Sequence, residues 1–216
     1  MDKVEVISRT ADYARQKLFG KPIGSDWSHT YRVWKMAANL AEKERADSFI
    51  VQLAALLHDI ADWKYNQADI TAAPMLARKW LQGLEMDEVA VSHVCEIISD
   101  VSFKGLEAKS PMRTKEGMVV QDADRLDAIG AIGIAKTFAF GGETGMLMYD
   151  PNVAPRKGEE LLKIRNSRTS LNHFYEKMLL LKHGINTKTA QKIAEGRHRF
   201  IQEFLARFLN EWEGSL

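Results

Sequence analysis

The residues of this sequence best suited to chemistry lie in LAALLHDIADWKY, residues 53–65, where an apolar run ends in His58 and Asp59. Burial of a histidine and an aspartate at the end of an apolar helix is unfavourable unless something compensates for it. A bound metal ion is the compensation that best suits this pair. A second carboxylate, Asp62, follows one turn later on the same helix face. Two residues from one helix rarely complete a metal site, so we expect further ligands from other segments.

Two other predicted helices carry candidates for those ligands. His29 lies in the first turn of a helix for which Ser25 or Asp26 is a plausible N-cap, and it points toward a buried surface. Asp124 and Asp127 share the apolar side of a helical pattern over residues 119–140. Two imidazoles and two carboxylates suit one divalent ion (Mn, Mg, Ni, Fe, Co or Zn) with positions left for water. Such open positions are typical of catalytic metal sites.

The elements that position these residues are all helical by pattern. The first helix, residues 2–18, is predicted to bury a stripe of Val4, Ile7, Ala11, Ala14 and Leu18. Further helices are predicted from Trp27, over Phe49–Leu57, around Pro74–Gly83, from Asp87 to about Ser99, and over 119–140, with two long helices closing the chain. No segment alternates as a β-strand does. The sequence therefore predicts an all-α fold.

Two stretches of the chain lack a sustained hydrophobic periodicity. Residues 102–117 carry four basic residues and are predicted to form a loop, and the Gly- and Pro-rich residues 141–160 form the longest irregular stretch. Long loops of this kind in compact domains are often lids or binding loops. A length of 216 residues fits one domain. We expect a metal-binding core at about 20–140, the loop 141–160 and closing helices over 161–213.

Composition narrows the class of protein. Hydrophobic residues make up 45% of the chain, and 30 basic against 29 acidic residues give a net charge of +1. This balance argues against a broad surface for nucleic-acid polymers or anionic membranes. The single cysteine, Cys95, excludes an intrachain disulfide framework and is predicted to be a buried, inert thiol. With no apolar signal or spanning stretch, we expect a soluble cytoplasmic protein; the oligomeric state stays open, a homodimer included.

The order of the candidate ligands resembles the signature H…HD…D of the HD-domain superfamily of metal-dependent phosphohydrolases. The fragments SHTYRVWKMA, LLHDIADWKY and VQDADRLDAIG are each similar to the corresponding family block. ISDVSFKG, TFAFGGETG, YDP and SLNHFYEKMLLLK resemble blocks of a subgroup of small stand-alone bacterial HD hydrolases. The resemblance therefore extends over nearly the whole chain.

The resemblance implies an HD helical bundle with long C-terminal helices and one divalent ion on four ligands, namely His29, His58, Asp59 and Asp124. Asp124 is chosen over Asp122 and Asp127 because it is the aspartate of the ADRL segment. The implied activity is hydrolysis of phosphoester or phosphoanhydride bonds, commonly in nucleotides. For this subgroup the release of pyrophosphate from nucleoside triphosphates is one form of that activity. The implied partner is a phosphorylated small molecule.

Four further residues are assigned roles as hypotheses, each beside a structural alternative. Asp62 would orient or deprotonate the attacking water, or be a solvated helix-end charge. Asp127 would assist catalysis, or form a salt bridge with a neighbouring Lys or Arg. Lys104 would bind phosphate as a flexible point charge, or stay solvated. His93 would donate to the phosphate or protonate the leaving group, or be an ordinary helix histidine.

Two other functions remain open on the sequence alone. A sensor module would keep the metal and nucleotide pocket but turn over poorly. A di-iron oxygenase would need additional ligands, for which His93 and Asp62 are the candidates. The segment DADRLD is not an EF-hand, because Leu126 occupies a ligand position and the required Gly and Glu are absent. His173, His183 and His198 are predicted to be structural or at the surface.

Overall fold

The structure, a computed structural model, describes residues 1–21, 25–61, 71–101, 112–158 and 167–215. Within these ranges it contains nine α-helices, one 3-10 helix and no β-strand, which confirms the all-α prediction. The α-helices are α1 (Lys3–Lys17), α2 (Trp27–Glu44), α3 (Ser48–Leu57), α4 (Ala72–Gly83), α5 (Glu88–Val101), α6 (Lys115–Asp127), α7 (Gly130–Glu143), α8 (Ser170–Glu176) and α9 (Lys188–Trp212). The 3-10 helix covers Met178–Gly184. None of the described helices combines the length and the apolar character that crossing a bilayer requires.

The chain divides into two compact units, Met1–Asp124 and Arg125–Leu216. The boundary falls within α6, so this helix contributes Asp124 to the first unit and its last three residues to the second. The single-domain expectation stays a prediction.

In the first unit, α3 is the buried centre. It packs against α1, α2 and α5, and α4 packs against α5. Its buried residues are Ile50, Val51, Leu53, Ala54, Ala55, Leu56 and Leu57, as expected of a helix that is apolar nearly all round. Asp47 caps its N-terminus by accepting hydrogen bonds from the backbone N–H groups of Phe49 (2.9 Å) and Ile50 (3.3 Å).

The predicted orientation of α2 is confirmed. Asp26 is the N-cap, and its carboxylate accepts a hydrogen bond from the His29 backbone N–H at 3.0 Å. The buried face includes His29 together with Val33, Ala37 and Leu40. The aromatic residues Trp27, Tyr31 and Trp34 lie on another face of α2, which is partly exposed, and Tyr31 is 45% exposed. The N-cap and the apolar stripe of α2 therefore place His29 in the buried core of the first unit.

The predicted buried stripe of α1 is confirmed at Ala14 and Leu18 but wrong at Val4, which is 78% exposed. Val6 and Thr10 are buried instead. Thr10 is paired through a tertiary hydrogen bond, in which Trp80 Nε1 donates to Thr10 Oγ1 at 3.0 Å. A buried hydroxyl is tolerated when it is paired, so a polar residue replaces the expected apolar one on the inner face.

The helix predicted over 119–140 is in fact two helices. α6 ends at Asp127 and α7 begins at Gly130, because Ile129 is extended and Gly130 has a φ of +80°. Only glycine adopts that conformation without strain. A Cβ on Gly130 would also lie 2.9 Å from Cγ of Arg197, on α9. The helical pattern over 119–140 did not indicate this break.

The helix predicted to carry Leu171 to Leu181 is shorter than expected. α8 ends at Glu176, Lys177 leaves the helical region (φ −138°, ψ −58°), and a 3-10 helix follows. Buried Met178 and Leu181 lie on that 3-10 segment, so packing rather than local propensity sets the break. α9, at 25 residues, is the long closing helix. It packs against α7 and the 3-10 helix.

The two predicted loops are also shorter than expected within the described ranges. Residues 115–117 belong to α6, and residues 141–143 to α7. Residues 144–158 are irregular, with turns, as predicted. The remainder of each loop prediction, 102–111 and 159–160, lies outside the described residues.

The packing around Gly133 in α7 gives a first prediction. A Cβ at this position would lie 2.4 Å from the backbone oxygen of Ala128 and 2.9 Å from Cε of Met178, whereas one at Gly142 would meet nothing within 4 Å. We expect Gly133→Ala to destabilise the fold by about 1–3 kcal/mol. The control Gly142→Ala should be neutral or stabilising by up to about 1 kcal/mol. Denaturant unfolding of both variants measures this, and equal stability of the two would contradict it.

His173 of α8 gives a second prediction. Burial, with a smaller contribution from the charge of Lys177, lowers the pKa of His173 from 6.5 to about 4. Because the unfolded chain binds this proton more readily, the free energy of unfolding should fall as pH drops from about 6.5 to about 4, by on the order of 3 kcal/mol. Above pH 6.5 this contribution is fully present.

The variant His173→Gln should show a shallower loss of stability over the same pH range, measured by chemical unfolding at each pH. His183→Gln serves as the control, since His183 is exposed. The same pH slope for wild type and His173→Gln would show that His173 does not contribute to acid sensitivity.

Candidate metal centre

Three helices of the first unit bring together the four predicted ligands. His29 comes from the first turn of α2, His58 and Asp59 from the end of α3, and Asp124 from α6. Nε2 of His29 lies 3.5 Å from Oδ2 of Asp59 and 3.5 Å from Oδ1 of Asp124. Nε2 of His58 lies 3.6 Å from the same Asp59 oxygen. Three donor atoms from residues far apart in the sequence therefore lie close together, and Asp124 contacts the one from His29.

These separations match those of ligands around a single ion. Ion–ligand distances of about 2.0–2.2 Å imply that neighbouring donor atoms lie roughly 3–4 Å apart. The donor atoms of His29, His58 and Asp59 all lie within 4.8 Å of one another. This is the one grouping of three or more His, Cys, Asp and Glu side chains with such geometry in the described part of the chain. Asp124 joins it through its contact with His29.

The hydrogen bonding of His58 tests whether the residues fit a metal. Its Nδ1 lies 2.8 Å from the backbone oxygen of Ala55, which can only accept, so Nδ1 carries the proton and Nε2 carries a lone pair. Nε2 is buried and has no hydrogen-bond partner. An unpaired buried nitrogen is costly, and a metal ion would satisfy it. A backbone carbonyl on the other ring nitrogen is also one of the groups that commonly orient a ligating histidine.

Burial divides the four side chains into two pairs. The side chains of His29 and His58 are 4% and 3% exposed, whereas those of Asp59 and Asp124 are 26% and 32% exposed. The imidazole rings meet edge to face with centroids 5.5 Å apart. The cluster thus has an apolar, buried imidazole side and a carboxylate side that water reaches. A small molecule would approach from the carboxylate side.

His93 has polar neighbours within the first unit. Its Nε2 lies 3.3 Å from Oγ1 of Thr114 and 3.8 Å from a carboxylate oxygen of Glu116. Thr114 in turn accepts a hydrogen bond from the N–H of Gly117, and Glu116 accepts one from the N–H of Asp47. His93 therefore lies in a polar cluster at the start of α6. Its assignment to substrate binding stays a prediction.

Asp127 belongs to the second unit. Its carboxylate is 5% exposed and lies 2.7 Å from Nζ of Lys136. This is the salt bridge named as its structural alternative, and a base held in a buried ion pair would have to lose that pair to accept a proton. Asp62 and Lys104 lie outside the described residues, so their assignments stay predictions.

Cys95 is buried, and burial raises the pKa of its thiol, in agreement with the predicted inert thiol. Sequence reasoning missed the backbone carbonyl of Ala55, because a main-chain acceptor leaves no mark on residue type. The position of His58 just after the last turn of α3 is the signal that could have found it, since the last four carbonyls of a helix need partners.

Comparison with known proteins agrees with this geometry. The HD domain family matches residues 26–129, a range that contains all four clustered residues. The chain is 35% identical over 217 residues to the uncharacterized protein YpgQ of Bacillus subtilis (strain 168), covering 99% of this chain and 97% of that protein.

Solved structures extend the similarity. An HD-superfamily hydrolase from Bacillus thuringiensis superimposes with a TM-score of 0.79 at 42% identity, covering 98% of this chain and 99% of that one. The crystal structure of B. subtilis YpgQ in complex with ADP superimposes with a TM-score of 0.73 at 35% identity, covering 93% and 96%. Because the identity is this high along nearly the full length, the chain belongs to the HD superfamily.

Proposed function

We propose that this protein is a divalent-metal-dependent phosphohydrolase that acts on nucleotides. The observation that carries the proposal is the convergence of two buried imidazoles and two solvent-accessible carboxylates with separations of 3.5–3.6 Å. The similarity to YpgQ, which has been crystallised with ADP, supports a nucleotide as the substrate class. We further propose that the reaction releases pyrophosphate from nucleoside triphosphates, the form of activity implied by the resemblance to small bacterial HD hydrolases.

His29, His58, Asp59 and Asp124 would hold the ion. A divalent ion supplies Lewis-acid polarisation of a phosphoryl oxygen and makes water a better nucleophile near neutral pH. Two neutral imidazoles and two carboxylates carry a charge that balances the ion, so the loaded site does not repel an anionic phosphate. Mn, Mg, Ni, Fe, Co and Zn all suit this donor set.

The residues of the chain have separate tasks in this proposal. The Ala55 carbonyl orients the His58 ring, and the Asp26 cap holds the backbone of His29. The buried imidazoles exclude water from one side, so the phosphate would meet the carboxylate side. Phosphoryl transfer depends mainly on such positioning and on stabilisation of negative charge. We assign Asp62 to the orientation or deprotonation of water and Lys104 to phosphate binding.

Replacing Asp59 tests the ligand set. Asp59→Ala removes the carboxylate that contacts both imidazoles, so we expect both the bound metal and the activity to be lost. The loss should exceed the roughly 10–100-fold that is typical for residues outside the ligand set. Elemental analysis and an assay of phosphate and pyrophosphate release measure it. Asp12→Ala, at an exposed position of α1, is the matched control, and hydrolysis at the wild-type rate by Asp59→Ala would refute the site.

Metal removal tests the reaction. We expect no hydrolysis by metal-stripped protein and recovery when single divalent ions are added back. With nucleoside triphosphates the recovered product should be pyrophosphate and a monophosphate, as separated by ion-exchange chromatography. Orthophosphate as the product would leave a phosphohydrolase but overturn the pyrophosphate assignment. No turnover of any mono-, di- or triphosphate by metal-loaded protein would favour the sensor, and two irons per chain with oxygen consumption would favour the oxygenase.

A further inference from the structure

A second feature that could bind a small molecule is a pocket of about 540 Å³ in the second unit. Its walls come from the irregular segment after α7, from α8 and from α9, and include Leu171 and Leu209. The size lies within the usual range for small-molecule sites. None of the four clustered residues lines it, so the metal site does not explain it.

Two tyrosines give the pocket aromatic walls. Tyr149 is held edge-on against Trp212, with ring centroids 5.2 Å apart, and against Phe208 at 6.4 Å. Tyr175, on α8, is 38% exposed. Burial, and to a smaller extent the neighbouring Tyr149, raise the pKa of Tyr175, so its hydroxyl stays protonated and can donate a hydrogen bond. Rings held in this way offer faces and edges to a planar ligand.

The charged residues in the described part of the pocket lining are both cationic. They are Arg156 and Lys157. Lys157 is exposed, and none of the described carboxylates forms an ion pair with it. The pocket therefore combines an aromatic and apolar body with a positive side, a combination complementary to a ligand that has a planar ring and an anionic group.

The positive side is fixed by hydrogen bonds to α8. The backbone N–H of Arg156 donates to Oε1 of Glu176 at 2.9 Å, and Glu176 is 2% exposed. The side chain of Asn172 donates to the backbone oxygen of Val153 at 3.1 Å. Because both anchors are buried on α8, the segment that carries the two cations is held in place before any ligand arrives, which lowers the cost of binding.

We propose that this pocket binds a nucleotide, with the base against Tyr149 and Tyr175 and the phosphates at Arg156 and Lys157. Base–aromatic stacking tolerates different bases because every base has a π-face. Lys157 adds a mobile positive charge for the phosphates. The inference goes beyond the proposed function, because it concerns binding by the second unit and needs neither the metal nor hydrolysis.

The test is equilibrium binding of ADP to the metal-free full-length protein by calorimetry, with inorganic pyrophosphate as a ligand that lacks the base. Wild type should bind ADP more tightly than pyrophosphate. Tyr175→Leu should weaken ADP binding about 5- to 150-fold and leave pyrophosphate binding unchanged. Lys157→Gln should weaken both by about 2- to 5-fold. ADP binding should also decrease with added salt.

Two variants of the same unit are matched controls. Phe200→Leu removes another exposed aromatic ring and Lys192→Gln another exposed lysine, both on α9 and outside the pocket, and both should bind ADP as wild type does. Asp59→Ala should also bind it normally under metal-free conditions. If Tyr175→Leu and Lys157→Gln bind ADP with wild-type affinity, or if Asp59→Ala alone loses binding, the pocket assignment is wrong. Failure of hydrolysis in the metal-loaded protein would leave this result untouched.

Discussion

The first unit depends on one constraint, which is that a polar imidazole must be buried at the end of its most apolar helix. His58 follows directly after seven buried residues of α3, and both of its ring nitrogens are away from water. One is paired with a backbone carbonyl, and the other is left without a hydrogen-bond partner. A buried nitrogen lone pair is costly unless a proton or a metal meets it. This cost explains in chemical terms why potential metal ligands lie next to His58.

The other helices of the first unit hold the candidate ligands in position. α1, α2 and α5 surround α3, so the position of His58 is set by packing and not by a loop. α2 brings His29 to the same point because the Asp26 cap fixes where the helix starts. Sites built on packed helices hold their geometry more closely than sites built on loops. The two carboxylates then provide the side that is open to water, which a reacting site requires.

Periodicity indicated the buried faces that carry His29 and His58, whereas the choice of Asp124 over Asp122 and Asp127 needed the family resemblance. His29 shares its stripe with Val33 and Leu40, and the apolar run of α3 ends at His58. The same reasoning failed where tertiary contacts override local pattern. Thr10, paired with Trp80, is buried on α1 where an apolar residue was expected, Gly130 splits a continuous helical pattern, and α8 ends at Glu176 with no breaker in the sequence.

The pocket of the second unit could not be predicted for a related reason. Its aromatic walls are contributed by residues 149 and 175, and what brings them together is the attachment of an irregular segment to α8 through Asn172 and Glu176. No short-range pattern records an attachment of that kind. The adjacent cations Arg156 and Lys157 inside the predicted binding loop were the one visible sign.

The hydrogen bond from Nδ1 of His58 to the backbone oxygen of Ala55 has an evolutionary consequence. In many metalloproteins the group that orients a ligating histidine is itself a side chain, and a single substitution can remove it. Here the acceptor is a main-chain oxygen, which every amino acid at position 55 would supply. Drift in sequence can therefore change the size of that residue, and with it the packing of α3, but it cannot delete the acceptor. Among related chains, the orientation of this histidine should persist even where the residue three positions before it varies.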